Sequence, residues 1–399
     1  MTHPVEAIAA RPEVRQARAW LERQDGETLA WQRAIAAIPA PTGNERQRAD
    51  VVAGKLAEVG IDNVRRDAAG NLVGRWGGDG TSAGVVIAAH LDTVFPEETD
   101  LTVRQHGARF IGPGISDNAR GLAGLLALAG AFRHAGLRPP TPVTFVATTG
   151  EEGAGDLAGA RHLFAGADFR PTAFIALDGA GIERIVHRAL GSRRLRAVYR
   201  GPGGHSWAAF GVANPVHAVG LASAAIGELP LPAAPRTTGS VVRIGGGSGL
   251  NTIPQEAWLE VDLRSESEVA LDALYGAATE ALARALDGAN RRRTPGTAPL
   301  TLQIVPLGTR PSGVTDAGHA LVQGAVAATR TVGHTPDLAA ASTDANVAIS
   351  RGVPGIALGA GGRGGNTHLV SEWYENVDGP AGLFRALLVT CAAAGLAAG

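Results

Sequence analysis

The sequence predicts an α/β fold in which a mostly parallel sheet flanked by helices carries an inserted α+β domain. Three observations lead there. Short apolar, β-branched runs alternate with helical patterns towards both ends of the chain, several of these runs stop at a carboxylate or an imidazole, and the alternation breaks in the middle.

Taken in order, Gly84 to Ala89 is the first such run, and it stops at His90-Leu91-Asp92. Gly114-Ile115-Ser116-Asp117-Asn118 then precedes an apolar helix over Gly121 to Ala135. Pro142 to Ala147 is a second strand, followed by Thr148-Thr149-Gly150-Glu151-Glu152-Gly153, and Ala173 to Leu177 is a third, ending at Asp178. The middle of the chain runs differently. A strand over Arg194 to Arg200, a helix from about Asn214 to Leu229, strands around Gly239 to Ile244 and Ala257 to Leu263, a helix from about Glu266 to Leu286 and a strand at Leu300 to Pro306 give the order β-α-β-β-α-β. That order is a ferredoxin-like split βαβ unit. Strand and helix alternate again from Asp316, and Gly355 to Leu358 leads through a glycine-rich loop towards His368. The expected domains are therefore 1–187 with 313–399, and 188–312 inserted between them.

Composition narrows the function. With 399 residues, 45% of them hydrophobic, the chain is expected to build a large core and about two domains. A formal net charge of −1 gives no basic field for nucleic acid, and Arg291-Arg292-Arg293 reads as a solvated loop. The single cysteine, Cys391, excludes an intramolecular disulfide and reads as a small buried hydrophobe. No apolar stretch reaches transmembrane length and no secretory pattern opens the chain, so a cytoplasmic protein without membrane partners is expected.

In open α/β sheets, ligands collect outside the carboxyl ends of the strands, so His90, Asp117, Glu151, Glu152, Asp178 and His368 are expected to converge. Their bland readings differ in strength. Asp117 before a helix would alone be an N-cap, whereas the adjacent Glu151 and Glu152 after a buried strand repel unless a cation or a shared proton intervenes. Asp92 is placed to accept a hydrogen bond from the His90 nitrogen turned away from a metal, fixing its tautomer. Imidazole with several carboxylates suits Zn²⁺ and tolerates Co²⁺ or Mn²⁺.

Together, Ala89-His90-Leu91-Asp92-Thr93-Val94, Gly114-Ile115-Ser116-Asp117-Asn118, Thr149-Gly150-Glu151-Glu152-Gly153, Asp178 before the change of pattern, Gly203-Gly204-His205-Ser206 and the late His368 span nearly the whole chain. This set resembles the co-catalytic di-zinc metallopeptidases and amidohydrolases that include glutamate carboxypeptidase, tripeptidase T, acetylornithine deacetylase and succinyl-diaminopimelate desuccinylase. The resemblance implies two divalent metal ions per chain, bridged by Asp117. His90 and Asp178 would complete one ion, Glu152 and His368 the other, and Glu151 would be the general base. It also implies that the inserted domain is a lid and homodimerisation module, that His205 stabilises an oxyanion across the dimer, and that Asn251 and Arg264 hold a substrate carboxylate. A guanidinium suits that last task, although Arg264 beside Asp262 also fits a surface ion pair. Trp207 and Phe210 follow His205 where many relatives have small residues, and Trp373 and Tyr374 follow His368, so bulky groups are expected to border the pocket or the dimer contact. Asp344, before the last sheet strand, reads as a lining residue or a helix cap.

The leading expectation is hydrolysis of an amide bond in a small peptide, with deacylation of an N-acyl amino acid as the alternative. A non-catalytic binding protein on the same fold is the remaining reading, which loss of Glu151 or of a ligand would have favoured.

Overall fold

The apolar runs assemble as a sheet whose central strands are covered on both faces. The computed structural model describes residues 4–61, 63–78 and 83–397. Val85–His90, Val143–Thr148 and Ala173–Leu177 are buried at every position, which is why they appear in the sequence as unbroken apolar runs and not as alternating ones. Val85–His90 lies between the other two and parallel to both, and Gly355–Leu358 pairs in parallel with Ala173–Leu177. The chain thus steps to one side of Val85–His90 and then to the other. At such a reversal the carboxyl ends of the strands open a crevice. Antiparallel neighbours, Leu72–Trp76 and Arg184–Ala189, flank this centre, and the sheet counts nine strands among the described residues.

The helix Ala119–His134 is buried from Ala119 to Phe132 and packs on this sheet. Each large apolar side chain so covered stabilises the fold by about 1.5–3 kcal/mol. Its cap removes the bland reading of Asp117. Asn118, not Asp117, accepts the Gly121 N–H at 3.0 Å, which leaves the Asp117 carboxylate free of capping. Gly121 is required there, because a Cβ would stand 2.6 Å from the Leu177 carbonyl oxygen.

A second, small antiparallel sheet was not foreseen. Its order is Arg363–Gly365, Trp373–Glu375, Arg109–Ile111, Arg104–His106. Three-residue strands are too short for a period-two pattern to register. Tyr374, expected near a pocket, is instead fully buried with the Arg120 guanidinium 5.1 Å from its ring centroid, and Trp373 lies under Arg109 at 4.1 Å.

The chain divides into two compact units, 1–189 with 314–399, and 190–313. The second unit is a four-stranded antiparallel sheet in the order Thr237–Gly246, Glu256–Ser265, Gly191–Arg200, Thr301–Arg310, with helices Pro215–Gly227 and Glu268–Arg291. Its own core includes Leu195, Tyr199, Leu259, Leu271 and Leu282. This is the ferredoxin-like order that the sequence predicts. Of the three arginines read as a solvated loop, Arg291 is the last residue of the long helix, while Arg292 and Arg293 lie in the turn that follows, and Arg291 and Arg292 are exposed; the positive charge there faces the negative end of the helix dipole. No helix among the described residues is long and apolar enough to cross a membrane.

Candidate metal centre

At the carboxyl ends of the parallel strands, two imidazoles face one carboxylate. His90, the last residue of its strand, brings Nε2 to 2.9 Å from Asp117 Oδ1, and His368 Nε2 lies 3.3 Å from Asp117 Oδ2. Each oxygen of Asp117 therefore addresses a different histidine. On the His90 side, Asp178 Oδ1 lies 3.9 Å from the same Nε2. On the other side, Glu152 Oε1 lies 2.8 Å from His368 Nε2. His90, Asp117 and Glu152 offer ligand atoms all within 4.8 Å of one another.

The loops behind these groups hold them in place. The closest partner of His90 Nδ1 is the Asp92 main-chain carbonyl at 3.1 Å, with the Asp92 carboxylate at 3.5 Å. That carboxylate does more than the sequence suggests. It accepts the N–H groups of Glu151 and Glu152, both at 2.9 Å, and the Thr42 hydroxyl at 2.8 Å, so it fixes the turn that presents both glutamates. Glu45 accepts the Gly150 N–H at 3.1 Å from the same side. Arg48, fully buried, donates to the Leu91 carbonyl at 2.9 Å and joins the His90 turn to the Ile38 carbonyl. Asp344 stands at the N-cap position of Ala345–Ser350, as one reading of the sequence had it, but its side chain makes no capping bond; its Oδ2 instead accepts the Thr148 hydroxyl at 2.5 Å.

His90, His368, Asp117 and Asp178 are strongly perturbed by the groups around them. Burial works against a charged His90, yet its hydrogen bonds to Asp117 and Asp92 hold the imidazole well above its usual range. Hydrogen bonds that the imidazole donates to Asp117 and Glu152 raise His368 to about 10. Burial, and then the charge of Asp117, pushes Asp178 up to about 7. Asp117 is held low by the two histidines against the effect of burial. Crowded, buried carboxylates of this kind are relieved by a cation. Two imidazole nitrogens with carboxylate oxygens form a mixed donor set that fits a divalent transition ion, so the side chains present suit the chemistry expected of them.

Residues 86–388 match the model of peptidase family M20/M25/M40. The chain belongs to this family. It is 28% identical, over 276 residues, to an N-carbamoyl-L-amino acid amidohydrolase of Geobacillus stearothermophilus, covering 56% of this chain and 63% of that relative. The match thus spans less than two thirds of the relative's length. Solved structures of similar fold include a tripeptidase from Staphylococcus aureus, with TM-score 0.75, 20% identity and coverage of 92% of this chain and 98% of the other. A dipeptidase from Saccharomyces cerevisiae superposes with TM-score 0.75 at 14% identity, over 96% and 98% of the two chains. A hydantoinase/carbamoylase family amidase from Burkholderia vietnamiensis gives 0.70 at 19% identity, over 94% and 97%.

Within the 190–313 unit, His205 ends a two-residue ladder opposite Thr252, and its Nδ1 accepts the Trp207 N–H at 3.2 Å. The Asn251 carbonyl accepts the Ser206 N–H at 2.8 Å, so His205 and Asn251 share one rim. Trp207 and Phe210 beside them are 87% and 88% exposed. Arg264 donates to Asp262 at 2.8 Å, the ion-pair arrangement weighed from the sequence, and Asp262 also accepts from Arg194 at 3.2 Å. His217 is an exposed residue of the helix Pro215–Gly227.

Sequence reasoning missed Thr42, Glu45, Arg48, Asn118 and Glu372. Only Asn118 carried a usable signal, as an asparagine directly before a helical run.

Proposed function

We propose that the chain is a metal-dependent hydrolase that cleaves an amide bond in small peptides, of the dipeptidase, tripeptidase or aminopeptidase kind. The observation that carries this reading is the placement of Asp117, one oxygen towards each of two imidazoles, with Glu152 and Asp178 beside them. His90, Asp117 and Asp178 would hold one divalent ion, and Asp117, Glu152 and His368 a second, with zinc the natural occupant and cobalt or manganese as substitutes. When bound, such a pair polarises a substrate carbonyl and acidifies water.

Glu151 is the proposed general base. Its main chain is fixed by Asp92 and its side chain is buried close enough to His90 to bias that imidazole electrostatically. The carboxylate takes the proton of the attacking water and delivers it to the departing amine. Asp92 holds the glutamate turn and orients His90. The 190–313 unit is proposed as the recognition, lid and homodimerisation module, with His205 at the oxyanion and with Asn251 and Arg264 on a substrate carboxylate. To bind that carboxylate, Arg264 exchanges its bond to Asp262 for one to the substrate.

A second reading, removal of an N-carbamoyl or N-acyl group from an amino acid, is favoured by the curated relative's amidohydrolase name. Both readings use the same base and ligands and differ at the substrate's amino end. The test is turnover of free dipeptides and tripeptides beside N-carbamoyl, N-acetyl and N-succinyl amino acids, by protein loaded separately with Zn²⁺, Co²⁺ and Mn²⁺. Peptide-only turnover is expected. Turnover of only the N-substituted amino acids would move the assignment to the second reading, and no turnover by metal-loaded protein would refute both.

A further inference from the structure

Glu372 follows His368 by four residues and is fully buried. One of its carboxylate oxygens accepts the N–H groups of Ser116 at 2.7 Å and Asp117 at 2.8 Å, and the other accepts Gly114 N–H at 3.3 Å. The main-chain carbonyl of Glu372 also accepts the Gly112 N–H at 2.9 Å, and the strand that follows, Trp373–Glu375, pairs with Arg109–Ile111. The segment carrying His368 is therefore bound at several points to the segment carrying Asp117. A second tie runs from Arg120, on the helix after Asp117, whose Nε donates to the Ala360 carbonyl at 2.8 Å on the loop leading to His368.

We infer that Glu372 is a positioning residue for the metal centre: its carboxylate fixes the main chain at Asp117 to the His368 segment, so both ligands keep one mutual geometry. The physical reason lies in what Asp117 must do. A carboxylate presenting one oxygen to each of two imidazoles tolerates little rotation of its own backbone, and three N–H groups directed at a single anion restrain that rotation. Partners of this kind, one bond removed from the ligands, change metal affinity by about 10–100-fold when removed.

The inference rests on the metal reading above, and its test separates the two. Metal-free full-length chain is titrated with Zn²⁺ against a chromophoric chelator, for the wild type, Glu372→Ala, Glu372→Gln and the neighbouring control Glu375→Gln. Thermal unfolding is followed in parallel. Expected are about 10–100-fold weaker binding for Glu372→Ala, a smaller loss for Glu372→Gln, which keeps one acceptor oxygen, and no change for the control. Excess metal should restore kcat in the weakened variants with substrate KM unchanged, an effect that a purely structural role does not produce. Where the alanine variant does not fold, the glutamine variant decides. A folded Glu372 variant with wild-type Zn²⁺ affinity would overturn the positioning role. A wild-type chain that binds no Zn²⁺ would instead refute the metal centre itself.

Discussion

The two units treat ionisable side chains in opposite ways. In the 190–313 unit, Arg200, Arg196 and Arg194 stand directly across the strand pair from Glu256, Glu260 and Asp262, each within hydrogen-bonding distance of its opposite. The Trp258 ring lies 4.4 Å from the Arg196 guanidinium. Every one of these charges is answered on its own sheet. In the other unit, carboxylates gather at the strand ends, Glu151 and Glu152 buried and Asp117 and Asp178 half-buried, with two histidines within hydrogen-bonding distance of Asp117 and Glu152. Cross-strand pairs of opposite sign account for themselves as sheet stabilisation. Crowded carboxylates facing one another do not, and that difference is the ground on which a chemical role is proposed for this cluster and a structural one for the ladder.

Four substitutions break or sharpen this contrast. Glu151→Gln should lower turnover by about 10²–10⁴-fold while metal stoichiometry stays unchanged, because the amide no longer accepts a proton; wild-type turnover would end the base assignment. His205→Ala should cost about 10²–10³-fold in kcat if its imidazole meets the oxyanion. An unchanged kcat would leave His205 with a local role in its turn. Arg264→Ala should raise KM about tenfold for substrates with a free carboxylate and leave an amidated analogue untouched, the signature of one lost charged contact worth about 1.4 kcal/mol. Equal losses on both substrates would count against carboxylate recognition. The smallest effect belongs to Arg200→Ala, where chemical denaturation should show at most about 1 kcal/mol, since the pair with Glu256 is exposed and screened. A larger loss there would mean that the ladder stabilises the unit more than exposed pairs do.

The same contrast explains what could be seen in the sequence. His90, Glu151, Glu152 and Asp178 were legible because buried parallel strands are written as apolar runs, and a charged residue at the end of one is conspicuous. The order of elements in the inserted unit was legible for a similar reason, since its strands and helices are long enough to show their periods. Glu372 was not, because its meaning depends on N–H groups more than 250 residues earlier in the chain. Asp92 was only half legible: its neighbour His90 suggested one bond, but the N–H groups of Glu151 and Glu152 reach it through parallel pairing of strands distant in sequence. Tyr374 was misjudged because nothing local distinguishes an aromatic at a pocket rim from one buried over Arg120.

Asp117 is the point on which the account turns, and equilibrium titration of metal-free wild type and Asp117→Asn with Zn²⁺ tests it most directly. Two equivalents per wild-type chain are expected, with both weakened together in the variant because one side chain serves both positions. Two full-affinity equivalents in folded Asp117→Asn, or none in the wild type, would contradict a centre built around a shared carboxylate.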